Sequence, residues 1–341
     1  MVDIMNYKTL GNTDIKISEF ALGCWPFAGG KEWGFQEDSD SIAAVNESIN
    51  QGINFFDTAP GYGDGRSEQV LGKALKTKRI ENVIATKVPP VHLKPKDLRV
   101  SCEKSLNNLQ TDYIDLYQIH WPRTGDTKFD SDINMNDSVG ELNKLHEEGK
   151  IRSIGVSNFG VKDFNEVTKL THVVSNQLPY NGVWRSIEFE IQDLCIKENS
   201  GIICYTPLAQ GILTGRYNNP DEVPDGISRS RLFSKDRSPL CMHNESGCEE
   251  ILFTTINKIR MLSDTDDVPM AVLSLGWLKT REGILSILVG ARTADEVKIN
   301  VPAFSYVPDT KLADAFTSIT EEIKNIIGKN PDLWHGKTHY K

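Results

Sequence analysis

A unit of short apolar strand followed by helix repeats eight times along this chain, and no other feature narrows the fold as much. Apolar runs bounded by turn residues mark buried strands at residues 20–22, 53–57, 83–87, 114–120, 153–157, 173–177, 202–205 and 285–289. Helical spacing of apolar residues fills the intervals. Ile42, Val45 and Ile49 follow the first strand. Residues 67–75, 95–109, 136–148, 161–170, 187–199, 249–263 with 269–279, and 293–300 follow the others in turn. Strands that alternate strictly with helices run parallel, because each return path is a helix on the face of the sheet. Eight such units predict closure into a (β/α)8 barrel. An open doubly wound sheet is the structural alternative. It calls for a glycine fingerprint after the first strand, where Gly23-Cys-Trp-Pro26 stands instead.

Such barrels use about 250 residues, and this chain has 341. The surplus goes to three places. Residues 7–10 and 15–18 flank Gly11-Asn-Thr-Asp14 and read as a leading β-hairpin. A long loop follows the seventh strand. An amphipathic helix, residues 311–327, and a polar tail close the chain. No shift in composition marks a boundary, so residues 1–341 are expected to form one barrel domain, with 318–341 partly tail.

The formal net charge of −9 and the lack of a Lys/Arg block argue against nucleic-acid binding. The N-terminus has no basic-then-apolar leader, and no apolar run approaches the roughly 18 residues of a membrane span. The six cysteines are scattered without a C-x-x-C pair, which fits reduced thiols in a cytoplasmic protein and no zinc or other metal site.

In a barrel the strand C-termini converge on one face, and active sites sit there. The second strand ends on Asp57, with Tyr62 in its glycine-rich loop; the third ends on Lys87; the fourth ends on His120. Each has an ordinary explanation alone, and a lone histidine is more often a satisfied core residue. Four such groups on neighbouring strand ends point to chemistry. A tyrosine exchanges protons near neutral pH when its pKa falls from about 10 by two or three units. An ammonium about 4 Å away, at an effective dielectric near 20, supplies roughly the 4 kcal/mol this takes. Lys87 is the candidate, with Asp57 keeping it charged and His120 bonding the reacting oxygen. That set protonates a carbonyl oxygen as a hydride reaches its carbon, and the hydride must come from a nicotinamide.

These residues resemble the catalytic tetrad of the aldo-keto reductase family. The likeness runs from Lys8-Thr-Leu-Gly-Asn-Thr13 to Gly290-Ala-Arg-Thr-Ala-Asp-Glu-Val-Lys-Ile-Asn300. It includes Phe56-Asp-Thr-Ala-Pro-Gly-Tyr-Gly63 with Arg66-Ser67-Glu68, Ala85-Thr-Lys87, Gln118-Ile-His120 and Gly155-Val-Ser-Asn-Phe159. The resemblance implies Tyr62 as general acid/base with Asp57, Lys87 and His120 as partners. It also implies a bound NADP(H). Ser157, Asn158 and Gln177 are similar to residues that hold the nicotinamide carboxamide, and Tyr205 to the aromatic on which the ring stacks. Gly23, Cys24, Trp25 and Asp57 border the same pocket. Thr206, Pro207, Leu208, Ala209, Gln210, Gly211 and Gly215 resemble the loop around the pyrophosphate. Gly290, Arg292, Thr293, Glu296 and Asn300 resemble the adenosine end, where Arg292 suits a 2′-phosphate and Glu296 reads equally well as a helix cap.

The expected partner is a small carbonyl or alcohol: an aldehyde, a simple ketone or a sugar carbonyl. Trp25, Trp33 and Trp121, with Tyr62 and His120, are expected to line its site, and Trp334 in the tail lies within reach of the mouth. Arg123 stands where relatives often carry an acidic residue. It reads either as a surface arginine or as tolerance for anionic substrates. Both monomer and homo-oligomer stay open. A Schiff-base lyase fits less well, because Asp57 keeps the Lys87 amine protonated, and a glycosidase lacks the second carboxylate. A nicotinamide-binding regulatory subunit, as in some relatives associated with potassium channels, is the alternative to an enzyme.

Overall fold

The computed structural model describes residues 5–122 and 132–336. A two-stranded antiparallel hairpin leads, β1 (Tyr7–Thr9) and β2 (Lys16–Ser18). Eight parallel strands follow: β3 (Phe20–Gly23), β4 (Phe55–Asp57), β5 (Val83–Val88), β6 (Leu116–Ile119), β7 (Ile154–Ser157), β8 (Ser175–Pro179), β9 (Gly201–Tyr205) and β10 (Ile284–Gly290). Each pairs with its sequence neighbour, and β10 pairs with β3, so the sheet closes into the expected barrel. The hairpin covers the N-terminal end. Lys8 Nζ donates to the Ile284 carbonyl at 3.0 Å, and Leu10, Ile15 and Ile17 are buried with Val83, Val174 and Leu285. That end is therefore covered, which leaves the C-terminal end to hold a ligand.

Side chains alternate along a strand, and here the alternation builds the site. Phe55, Ala85, Leu116 and Ile203 belong to one buried cluster inside the barrel. Two residues on along the same strands come Asp57, Lys87 and Tyr205, and on β6 Gln118. The interior thus turns from apolar to polar one layer below the mouth. Ser157 and Gln177 continue the ring, paired across β7 and β8.

The helix positions follow the sequence reading with two exceptions. The segment expected as one helix over 187–199 is a short 3₁₀ turn, Ser186–Phe189, then a helix Ile191–Lys197, separated at Glu190 where φ is −149°. The closing helix over 311–327 is two helices, Thr310–Ile319 and Glu321–Ile327. At their junction the Arg185 guanidinium donates to the Thr317 carbonyl and to the Thr320 hydroxyl, both at 2.9 Å. Beyond them Leu333 and Trp334 are buried against the body, so the segment expected as partly tail packs on the barrel as far as Gly336. Among the described residues no helix is long and apolar enough to cross a membrane.

Gly155 on β7 is closely packed by the neighbouring strands. A Cβ there would lie 2.8 Å from Ser175 Oγ, 2.9 Å from Leu116 Cδ1 and 3.1 Å from Gln118 Cγ. Gly155→Ala is expected to cost about 1–3 kcal/mol in urea unfolding, the usual penalty of overpacking. A stability equal to the parent's would mean that this layer yields freely.

Candidate active site

The four titratable residues on neighbouring strands meet at the C-terminal mouth. Lys87 Nζ lies 2.6 Å from Asp57 Oδ1, 2.9 Å from the Thr58 carbonyl and 3.3 Å from the Tyr62 hydroxyl. All three ammonium donors are thereby used. Lys87 has no exposed surface and Asp57 almost none. The other Asp57 oxygen accepts from Gln177 Nε2 at 2.8 Å and Gln118 Nε2 at 3.2 Å. His120 sits edge-on to Tyr62, with ring centroids 6.0 Å apart. Trp25 stacks on the other side of the phenol at 5.7 Å and 22°.

The loop that presents Tyr62 is anchored at both ends. Ser67 Oγ lies 2.8 Å from the Thr58 hydroxyl and donates to the Cys24 carbonyl at 2.7 Å. Glu68, fully buried, accepts from Thr86 Oγ1 at 2.7 Å and Asn108 Nδ2 at 2.9 Å. The Ser67-Glu68 pair of the motif is therefore scaffolding for the tyrosine. Gly63 has φ +65°, and a Cβ there would come within 3.1 Å of the Ala28 backbone, so the turn after Tyr62 needs glycine.

The charges differ from the simple ammonium-and-phenol picture. Burial raises the Tyr62 phenol above its usual value, because the phenolate would lose its hydration; Lys87 pulls the other way, and Asp57 adds to the rise. The expected downward shift of two or three units is thus corrected: the loss of hydration on burial outweighs the pull of the Lys87 ammonium. Burial disfavours charge on Lys87, yet Asp57 and Tyr62 outweigh it and hold the ammonium protonated. Burial, then the Lys87 charge, push His120 well below the usual imidazole value. The resting site holds a neutral phenol, a neutral imidazole and a paired ammonium.

A cavity of about 520 Å³ opens from these groups. Of the residues named from the sequence, Gly23, Trp25, Trp33, Asp57, Tyr62, His120, Trp121, Ser157, Asn158, Gln177, Tyr205, Thr206, Pro207, Leu208, Gln210, Gly211, Gly290, Asn300 and Trp334 line it. Cys24, Ala209, Gly215, Arg292, Thr293 and Glu296 do not. Cys24 is buried behind the wall with its backbone N–H on the Asp57 carbonyl at 2.8 Å. Glu296 closes the helix Ala294–Ser305 at its start, Oε2 accepting from the Arg292 N–H at 2.7 Å, while Thr293 Oγ1 accepts from the Glu296 N–H at 3.2 Å. Arg123 lies outside the described residues.

The lining fits a nicotinamide nucleotide. Tyr205 presents an aromatic face, and burial keeps its phenol neutral. Its hydroxyl donates to Asn158 Oδ1 at 2.8 Å, and Asn158 Nδ2 donates to the His120 carbonyl at 3.0 Å. Asn158 adopts φ +61°, a conformation asparagine tolerates better than most residues. Thr206, Ala209 and Gln210 also have positive φ, near 50°, so the loop after β9 is held in a strained course around the cavity. The buried Thr206 hydroxyl has no partner among the described residues, leaving a polar group for a ligand.

Gln118 has no role in the sequence reading beyond its place in the Gln118-Ile-His120 motif, and Arg216, Arg229, Met242 and His335 have none, although Gln118 bonds Asp57 and the others line the cavity. Gln118 was within reach, since it shares strand parity with Leu116 and His120. The other four come from the long loop and the tail, which have no periodicity to read. Arg216 and Arg229 bring positive charge to the wall, and the Arg229 guanidinium lies 4.9 Å above the Trp334 ring.

Residues 19–321 match the sequence model of the Aldo/keto reductase family. The chain is 34% identical over 307 residues to an aldo-keto reductase of Bacillus subtilis, covering 86% of this chain and 87% of that one. It is 30% identical over 334 residues to the NADH-specific methylglyoxal reductase of Escherichia coli, covering 92% and 97%. Among solved structures it resembles an aldo-keto reductase from Klebsiella pneumoniae in complex with NADPH, with a TM-score of 0.70, 28% identity and 93% and 96% of the two chains covered.

Proposed function

The chain belongs to the aldo-keto reductase family, and from that premise we propose that it interconverts aldehydes or ketones, sugar carbonyls included, with alcohols using NADP(H). The observation that carries this reading is the buried run from Asp57 through the Lys87 ammonium to the Tyr62 hydroxyl, 2.6 Å and 3.3 Å long. The cofactor, when bound, supplies or accepts the hydride. The protein's own residues handle the proton. Tyr62, held as a neutral phenol, donates its proton to the carbonyl oxygen. Lys87 stabilises the phenolate left behind, at the moment its charge develops. Asp57 keeps the ammonium charged and aimed. His120, neutral, offers a hydrogen bond to the same oxygen. Ser157, Asn158 and Gln177 orient the carboxamide of the nicotinamide. Trp25, Trp33, Trp121 and Trp334 give the substrate an apolar wall that excludes water.

The test is turnover of 4-nitrobenzaldehyde with NADPH, followed across pH. Reduction needs Tyr62 protonated, and a raised pKa keeps it so below the ordinary phenol value of about 10. His120 is already neutral through the range where imidazoles titrate. The rate of reduction is therefore expected to stay flat from about pH 6 to about pH 9. Oxidation of the alcohol needs the phenolate and is expected to rise close to tenfold per pH unit over that range. Absence of turnover with any aldehyde would leave the regulatory-subunit reading, which no observation here favours. An inflection near 6.5 in the reduction profile would reassign His120.

A further inference from the structure

The guanidinium of Arg292 is held along one edge by the loop of residues 34–37. Its Nε donates to Gln36 Oε1 at 2.8 Å, and a terminal nitrogen donates to the Phe35 carbonyl. Gln36 answers from its amide nitrogen, which donates to the Arg292 carbonyl at 2.9 Å and to Ser41 Oγ at 3.0 Å. The two residues, 256 positions apart, form a closed reciprocal pair. Gln36 is 4% exposed, and its contacts with Arg292 are partly buried. The loop is held from the other side as well: Arg66 Nη2 donates to the Gln36 carbonyl at 2.5 Å and to Asp38 Oδ1 at 3.0 Å. The Arg292 backbone N–H is committed to Glu296. Gly290 and Asn300, on either side in sequence, line the cavity, whereas Arg292 does not.

A phosphate on the ribose 2′ position is recognised by a planar guanidinium through charge-assisted bonds. To turn into the cavity that Gly290 and Asn300 line, Arg292 must first release Gln36 and Phe35. An unphosphorylated ribose makes no such demand. The displacement cost therefore falls on NADP alone. We propose that Gln36 is a cofactor-selectivity residue: it holds Arg292 against the loop of residues 34–37 and so narrows the preference for NADP over NAD that Arg292 would otherwise confer. This rests on the reading that the corner at residues 290–300 receives the adenosine end.

The experiment is titration of the full chain with NADPH and with NADH, followed by quenching of tryptophan fluorescence, which needs no turnover. Gln36→Ala is expected to tighten NADPH roughly tenfold or more, the worth of one hydrogen bond to a charged group, and to leave NADH within about twofold. Gln36→Glu, which grips Arg292 more strongly, is expected to weaken NADPH by roughly tenfold or more with NADH again steady. In an Arg292→Leu background both changes are expected to lose their selectivity for NADPH. If Gln36→Ala and Gln36→Glu leave the ratio of the two dissociation constants unchanged, or weaken both cofactors alike, Gln36 is only loop scaffolding and the inference falls. If the parent chain binds neither nicotinamide, the function proposed above falls first and this falls with it.

Discussion

Tyr62→Phe is expected to lower the reduction rate by roughly two to four orders of magnitude, the ordinary worth of a positioned general acid, while leaving cofactor binding and folding intact. The reason for such a clean separation is geometric. The Tyr62 ring is packed by Trp25 at 5.7 Å and by the edge of His120 at 6.0 Å, and phenylalanine keeps both contacts. Only the hydroxyl is lost. Lys87 then gives up its 3.3 Å bond but keeps Asp57 and the Thr58 carbonyl. Measured under single turnover with NADPH, a Tyr62→Phe rate within tenfold of the parent would show that the proton comes from elsewhere. His120 would then be the next group to examine.

The second large effect separates the members of the buried ion pair. Asp57→Ala leaves the Lys87 ammonium without its carboxylate in a fully buried site, and is expected to cost about 3–5 kcal/mol of stability in urea unfolding together with the activity. Lys87→Met is expected to abolish activity as thoroughly and to cost less stability. Asp57 retains two amide donors, from Gln177 at 2.8 Å and Gln118 at 3.2 Å, whereas Lys87 without Asp57 keeps only a carbonyl and a phenol. Replacing both together is expected to recover much of the stability lost in Asp57→Ala and none of the activity. The sign with pH follows from the raised lysine pKa: the ammonium's share of stability is complete below the unfolded value of about 10.4 and is lost only as pH climbs through the higher folded value. Equal destabilisation by the two single replacements at neutral pH would contradict the partner count on which the argument stands.

Both predictions use residues that were legible in the sequence, and the corrections show where legibility stops. Asp57, Lys87 and His120 were found as the last residues of apolar runs, and strand parity carries each to the interior of the barrel mouth. Gln118 obeys the same parity, but a glutamine inside a strand signals no role by residue type. The positive charge of Arg216 and Arg229 comes from a loop without period. Arg292 was recognised, but its engagement by Gln36 and Phe35 was not, since nothing local links positions 36 and 292.

What the sequence determined by itself was therefore everything that rests on period and count: eight strand–helix units, hence a closed parallel barrel, and a set of polar residues delivered to one end of it. Those properties are repeated along the chain, and each repeat reinforces the next. The tertiary structure alone decided the electrostatic outcome. Whether Lys87 lowers the Tyr62 phenol depends on how much water is excluded around it and on how near Asp57 stands to the same ammonium. Whether Arg292 can serve a phosphate depends on a loop brought to it by closure of β3 against β10. Desolvation and the choice of partner are set by what packs from distant parts of the chain, and no local pattern encodes them.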